Sequence, residues 1–406
     1  MIEGFWIRNY KAVRQIAVGS SFQQSVVMDA ETDIVPYELT PLTVFIGESG
    51  AGKSCILDAF CFIADILEYG LDEAFVRRGG VNAVYHASGE GPIAFGIVFR
   101  SCAADAPLTY ILNINKKPNT QQAFIETEAV LYRNTDNKQP RPILFFQNGE
   151  KYARHLQPWY NASGSQLEQV KGINEKTLAL GVLARFEDLP DIPQFKQYLS
   201  RYFVTSFISS NAAALSPPKF KFSQVENLAN ELRRLKEKHS REFSDILNII
   251  GRQIPGVERL EYKLLESGRN ILAFYYQGSN EPVFTPQLGE SVLRLLALLT
   301  LFEDPVPSRL VGIEEPSASM GRAHVMSFVA ALHRNIREIG GTQFFMTTHS
   351  NVLIDQMDPT EVWLLYKDSS GNIQASRCLD ELQFQGIDLN TVGPYWWTDH
   401  LYRVPR

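Results

Sequence analysis

Five residues of this chain could together handle a triphosphate: Lys53, Ser54, Glu314, Glu315 and His349. The first two close the stretch GESGAGKS, where Gly47, Gly52, Lys53 and Ser54 fit the spacing G-x-x-x-x-G-K-[ST]. Glu48, Ser49, Gly50 and Ala51 complete a loop whose backbone N–H groups can wrap phosphate oxygens. The lysine ammonium of such a loop reaches the outer phosphates, and the hydroxyl reaches Mg2+. Glu314 and Glu315 end the apolar run RLVGI, and His349 follows the run QFFMTT. Hydrolysis of a phosphoanhydride needs a carboxylate for the metal and a base for the attacking water. Glu314 is assigned to Mg2+ and Glu315 to water activation. His349 is placed where an imidazole can contact both the γ-phosphate and that water.

These groups converge only if particular elements hold them. LTVFI before the loop is apolar and β-branched, as a buried parallel strand is. SCILDAFCFIADIL after it places Ile56, Leu57, Phe60, Ile63, Ala64 and Leu67 at helical spacing. RLVGIEE, QFFMTT and EVWLLY read as further strands of the same sheet, and ligands bind beyond the carboxyl ends of such strands. PIAFGIVFR, LTYILNIN, AFIETEAVLYR and ILFFQNG also read as strands, and residues 174 to 205 as helical. SPPKFKF breaks that pattern, and SQVENLANELRRLKEKHSREFSDILNII reads as one longer helix. RLEYKLL and ILAFYY flank ESGRN as a hairpin. Motifs thus lie at both ends of the chain. The expected organisation is residues 1–100 as the N-terminal half of a head, 101–257 as an inserted lobe and 258–406 as the C-terminal half.

Composition narrows the function classes. The chain has 406 residues, 45% apolar, with a net charge of -6. That supports a large core and gives no global polyanion-binding signature. The four cysteines, Cys55, Cys61, Cys102 and Cys378, form no CxxC pair and read as thiols of a reducing compartment. MIEGFWIRNYKAV lacks a signal peptide's apolar run, and VLRLLALLTLF is too short to span a bilayer and holds Arg294. A cytoplasmic protein without a membrane segment is expected.

The order of motifs is phosphate loop, QLGESVLRLLALL, acidic strand, His strand. This is the ABC-type order, in which a short signature opens a helix and faces the γ-phosphate of a second subunit. No N-K-x-D base-reading motif argues for a GTPase. Over nearly its whole length the chain resembles the RecF/SMC-like ABC-type ATPases, the single-head relatives of OLD-type nuclease heads. IRNYKAV is similar to their I-x-N-F-K-S-F opening, and LTVFIGESGAGKSCILDA to L-T-V-L-I-G-P-N-G-S-G-K-S-N-L-L-D-A. QLGESVLRLLALL is similar to Q-L-S-D-G-T-L-R-F-L-A-L-L, IEEPSAS to I-E-E-P-E-N-S, and TQFFMTTHSNVLID to T-Q-V-I-V-T-T-H-S. The resemblance implies an α/β P-loop NTPase head. It would have a mixed sheet flanked by helices, an antiparallel β lobe at the N-terminus and an inserted lid lobe. It also implies ATP and Mg2+ as ligands and an ATP-sandwich dimer. In that dimer Gly289, Glu290 and Ser291 of one copy meet the other copy's nucleotide. This signature departs from the family's S-D-G, its two ends being exchanged, so binding is expected to survive better than fast hydrolysis.

Three functions compete. The first is an ATPase whose dimerisation controls a separate effector, such as a nuclease or toxin, in anti-phage defence or DNA repair. No HExxH, Cys/His spacing or second acidic cluster places effector chemistry in this chain. The second is a non-hydrolysing nucleotide sensor. The third is a nucleic-acid-binding repair head using Arg233, Arg234, Lys236, Lys238 and Arg241.

Overall fold

LTVFIG forms strand β3 (Leu42–Gly47), buried along its whole length. Its side chains alternate between two cores: Phe45 enters one, Val44 and Ile46 the other. Burial on both faces is what its unbroken apolar run predicts. The structure, a computed structural model of the chain, describes residues 1–19, 38–101, 107–117, 120, 122–132, 141–147, 150–153, 175–183, 191–206, 225–254, 256–264, 270–284, 289–368 and 371–380. SPPKFKF, most of the ESGRN turn, Cys102 and the Gln-Leu that opens QLGES lie outside these residues.

Strand β3 sits inside a six-stranded sheet with β9 (Phe203–Ser206), β13 (Leu310–Glu314), β14 (Gln343–Thr347), β15 (Val362–Lys367) and β16 (Ile373–Arg377). The order is β16-β15-β3-β14-β13-β9. All neighbours are parallel except β15 and β16, so the sheet is mixed. The RLVGI, QFFMTT and EVWLLY strands lie where their apolar runs place them. Strand β9 does not: its residues close a stretch that reads as helical, yet Phe203 pairs with Val311 and Thr205 with Ile313. The open edge of β13 supplies a ladder that local propensity cannot register.

The second sheet is antiparallel, in the order β2-β1-β4-β5-β6-β7-β8. Its strands are β1 (Ile2–Tyr10), β2 (Val13–Gly19), β4 (Ile93–Phe99), β5 (Leu108–Lys116), β6 (Ala123–Tyr132), β7 (Arg141–Gln147) and β8 (Glu150–Ala153). The expected boundary at residue 100 therefore does not coincide with the end of a sheet. Tyr110, Leu112 and Ile114 of β5 and Ile125 and Val130 of β6 join the same core as Phe95 and Ile97 of β4. Antiparallel pairing extends the N-terminal sheet through β8, while β9 returns the chain to the first sheet. On β6, buried Glu128 accepts the N–H groups of Ala179 and Leu180 at 2.6 and 2.9 Å. That carboxylate fastens α4 (Ala179–Leu183) to the sheet.

Helix α1 (Lys53–Tyr69) joins the core shared by the two sheets through Ile56, Leu57, Phe60, Ile63 and Ala64. Short helices α2 (Leu71–Val76) and α3 (Val81–Val84) follow it, and α5 (Asp191–Ser200) adds Phe195 and Leu199 to the same core. Arg78, 1% exposed, fixes α1 to the segment after α2. It reaches Asp58 at 3.0 Å and Asp65 at 2.7 Å, while Tyr10 donates to Asp58 at 2.6 Å and Lys11 pairs with it at 2.5 Å. Burial alone would raise the Asp58 pKa; Arg78 and Lys11 overcome it and hold the carboxyl below its ordinary 3.8. A depressed carboxylate stabilises fully above its unfolded pKa, so this share is lost as pH falls below about 3.8. Arg78→Met removes the buried cation shared by Asp58 and Asp65, leaving Tyr10 and Lys11 on Asp58. It is expected to cost about 3–5 kcal/mol by urea denaturation, with partial recovery when Asp65→Leu is added.

The other face of the first sheet is covered by α6 (Val225–Lys238), α7 (Ser240–Gln253), α8 (Glu290–Phe302), α9 (Arg322–Arg334) and α10 (Asn351–Ile354). The expected single long helix is two, broken at His239 with φ -141°. The break lets Leu228, Leu232 and Leu235 of α6 and Phe243, Ile246 and Ile250 of α7 enter one core. Arg233 pairs with Glu237, and Arg234 with Glu231 and Asp304. Those two charges of the basic run are thus met within the chain. The expected hairpin is present as β10 (Val257–Leu264) and β11 (Asn270–Tyr276), extended by β12 (Val283–Phe284).

Candidate functional site

The phosphate-loop sequence folds into a turn between β3 and α1, and its neighbours explain two of its glycines. A Cβ on Gly47, at φ 138°, would lie 2.1 Å from the Leu365 carbonyl oxygen of β15. One on Gly52, at φ 84°, would lie 2.6 Å from Cδ1 of Ile373 on β16. The loop is therefore pressed against the adjacent strands while Glu48, Ser49, Gly50 and Ser54 remain exposed. Ala51 donates its N–H to the Glu48 carbonyl at 3.1 Å and closes the turn.

Lys53 is 6% exposed and folds back over the loop. Its Nζ donates to the carbonyls of Gly47 at 2.8 Å and Glu48 at 2.9 Å. Burial pushes its pKa down, and the nearby Glu315 carboxylate pushes it up. The net result is a pKa below the ordinary 10.5, and the predicted base is a charge the loop lysine responds to.

Glu314 ends β13 in register with Thr347 of β14 and Ser206 of β9. Glu315 follows in the left-handed region, φ 45°. Its N–H donates to the Thr347 carbonyl at 3.0 Å, and its carboxylate accepts the His349 N–H at 3.1 Å. The His349 ring nitrogen Nε2 stands 3.5 Å from the same carboxylate. Both residues are partly exposed. A carboxylate and an imidazole so paired and partly open to solvent can orient and deprotonate a water.

Gly289 caps α8, and Glu290 and Ser291 form its first turn. Gly289 has φ -65° and ψ 143°, a conformation open to any residue. A Cβ there would meet only Ser291 Oγ, at 3.9 Å. This turn is joined to the rest of the site by Arg294, which bonds Glu290 at 2.8 Å and the Glu315 carbonyl at 2.9 Å. Arg294 enters the sequence reading only as a charge that disfavours a membrane span. An arginine within an apolar helix was the available signal for more.

The donor set suits a nucleotide and a hard cation. Ser54 Oγ and the Glu314 carboxylate are hard oxygens of the kind Mg2+ accepts, and the loop N–H groups and Lys53 are donors of the kind a phosphate accepts. Among the described residues, no three His, Cys, Asp or Glu side chains cluster as a protein-only metal site. No helix among them is long and apolar enough to cross a membrane.

Comparisons with known proteins bear on the family and the fold. Residues 42–355 match the family model described as "AAA domain, putative AbiEii toxin, Type IV TA system". The fold is similar to that of an SMC head bound to the C-winged helix domain of ScpA. The TM-score is 0.50 and the identity 15%, over 92% of this chain and 97% of that one. An SMC head domain from Thermotoga maritima matches at TM-score 0.43 and 13% identity, over 93% and 98% of the two chains. An SMC head from Pyrococcus furiosus with an extended coiled coil, bound to the C-terminal domain of ScpA, matches at 0.47 and 12%, over 95% and 98%. No curated protein matches in sequence. The family match runs from the phosphate-loop strand to α10, most of the chain, and the fold is that of an SMC-type P-loop head. The chain belongs to this family of AAA-type ATPases.

Proposed function

We propose that the chain binds ATP with Mg2+ and hydrolyses it slowly, and that ATP joins two copies head to head to control a separate effector. The observation that carries the reading is the pairing of Glu315 with His349 at the end of the acidic strand. A sensor that only binds has no use for a base so placed. Lys53 leaves the Gly47 and Glu48 carbonyls for the outer phosphates. Ser54 and Glu314 would hold the metal, which would neutralise charge on the phosphates. Glu315 accepts the proton of the attacking water, and His349 orients that carboxylate. The bound nucleotide supplies the phosphoanhydride whose cleavage these groups assist. Gly289, Glu290 and Ser291 offer the N-terminus of α8 to the second copy's nucleotide.

An effector such as a nuclease or toxin, in defence against phage or in DNA repair, is the partner this reading includes. The family description names a toxin system, and one similar head is bound to ScpA, a separate protein.

Sedimentation with and without a non-hydrolysable ATP analogue and Mg2+ tests the assembly. The expected result is a shift from one copy to two. An unchanged mass at saturating analogue, in a chain that is monomeric without it, counts against the sandwich. Phosphate release then separates the ATPase from a sensor. A Ser-Asp-Gly order installed at Gly289, Glu290 and Ser291 is expected to raise turnover severalfold. The backbone at 289 accepts serine without strain, and the hydroxyl restores the missing donor.

A further inference from the structure

Arg294 lies one turn into α8, among apolar residues, and its side chain is 4% exposed. A guanidinium in that setting is held by the groups that receive its N–H bonds. One arm reaches back to Glu290 in the first turn of α8, at 2.8 Å. Another donates to the carbonyl of Glu315, at 2.9 Å. Glu315 is the residue with left-handed backbone at the end of β13, φ 45°. Such a conformation is uncommon for a residue with a side chain, and it persists where neighbours fix it from several sides. Three elements do so here. The Thr347 carbonyl of β14 takes the Glu315 N–H, the segment after β14 offers the His349 N–H to its carboxylate, and α8, through Arg294, shares its carbonyl with the Ala318 N–H of the following turn.

We propose that Arg294 is a positioning residue: it sets the peptide of Glu315, and so aims its carboxylate, and it ties that setting to Glu290 in the first turn of α8. The proposal rests on the reading of Glu315 as the base and of α8 as the element that meets a second copy's nucleotide. Glu290 and a terminal phosphate are both anions competing for one helix N-terminus. A phosphate arriving there displaces the Glu290 carboxylate, and the planar fork of Arg294 carries the change to the Glu315 carbonyl. Each head then turns over its own nucleotide according to what sits on its α8, so the two sites of a sandwich act together.

The test compares the full chain with Arg294→Gln, Arg294→Lys, Glu290→Gln and the Glu290→Gln/Arg294→Gln double variant. Arg294→Gln is expected to keep its ATP Kd within about threefold and to lose about 10²-fold in saturating turnover, as small misplacements of a reacting group do. Lysine keeps the charge and one of the two bonds, so Arg294→Lys recovers part of the turnover. The double variant is expected to be no slower than Arg294→Gln alone, the mark of residues acting as one unit. Hydrogen–deuterium exchange of the nucleotide-free chain is the second readout. In Arg294→Gln, peptides covering 314–320 exchange faster while those of α8 do not. Parental turnover in Arg294→Gln overturns the proposal, as does opening of α8 with affinity and turnover lost in parallel. Multiplying effects in the double variant overturn the link to Glu290. If the parent shows no turnover above background, the proposed hydrolysis fails and exchange decides here. Faster exchange at 314–320 upholds the positioning role, and unchanged exchange overturns it.

Discussion

Lys53→Ala is expected to abolish ATP binding in isothermal titration, lowering affinity by about 10²- to 10⁴-fold. The estimate counts two hydrogen bonds from an ammonium to phosphate oxygens, each about 1.5–3 kcal/mol. The ammonium is already poised for them. It is buried, and it donates to two carbonyls of the same loop at 2.8 and 2.9 Å. The loop N–H groups remain in the variant, so residual weak binding is compatible with the assignment. The nucleotide-free variant also loses the two bonds from Lys53 to the Gly47 and Glu48 carbonyls, so its melting temperature is measured beside its affinity. A variant that binds ATP as tightly as the parent would show that GESGAGKS is a turn and nothing more.

Glu315→Gln is expected to bind ATP like the parent and to release phosphate about 10²–10⁴-fold more slowly. The amide keeps an oxygen that can accept the His349 N–H, held at 3.1 Å, so the local backbone should survive. What it cannot do is take a proton from water. ATP then persists, and the paired heads should dissociate more slowly in sedimentation. Glu314→Gln should differ, weakening Mg2+-dependent binding, if Glu314, which ends β13 in register with Thr347, is the metal-side acid proposed above. Equal phosphate release from Glu315→Gln and the parent, at a rate well above background, would sink the assignment of Glu315.

The central strands were legible because each is a short apolar run that ends in chemistry. Gly47, Glu314 and Thr347 each close a strand, and β3, β13 and β14 lie side by side as that pattern requires. The helical face of α1 was legible from its spacing alone. Pairing across long distances was not. Nothing local says that β5 continues the sheet of β4, or that Phe203–Ser206 leaves a helical neighbourhood to line β13. The break at His239 carries no glycine or proline and is set by burial of two apolar faces in one core. Buried charge was hidden for the same reason. Arg78, Asp58 and Asp65 scatter through polar-looking positions, and only the fold brings them within 3.0 Å. Arg294 belongs with them: its role depends on a carbonyl 21 positions away.

Strand β3 has β14 on one side and β15 on the other, and Gln343 at the start of β14 bonds the carbonyl of Thr40, 303 positions back. Chains emerge from the ribosome N-terminus first. A nascent chain grown as far as β13 already contains the whole GESGAGKS segment but neither of the strands that flank it. Leu365 and Ile373, whose contacts force Gly47 and Gly52 into shape, emerge later still. The nucleotide cradle is thus among the first segments synthesised and among the last to be assembled. A ribosome stalled anywhere before β15 leaves an unfinished loop that should be unable to capture ATP, so competence for the nucleotide reports that synthesis has passed the core of the head.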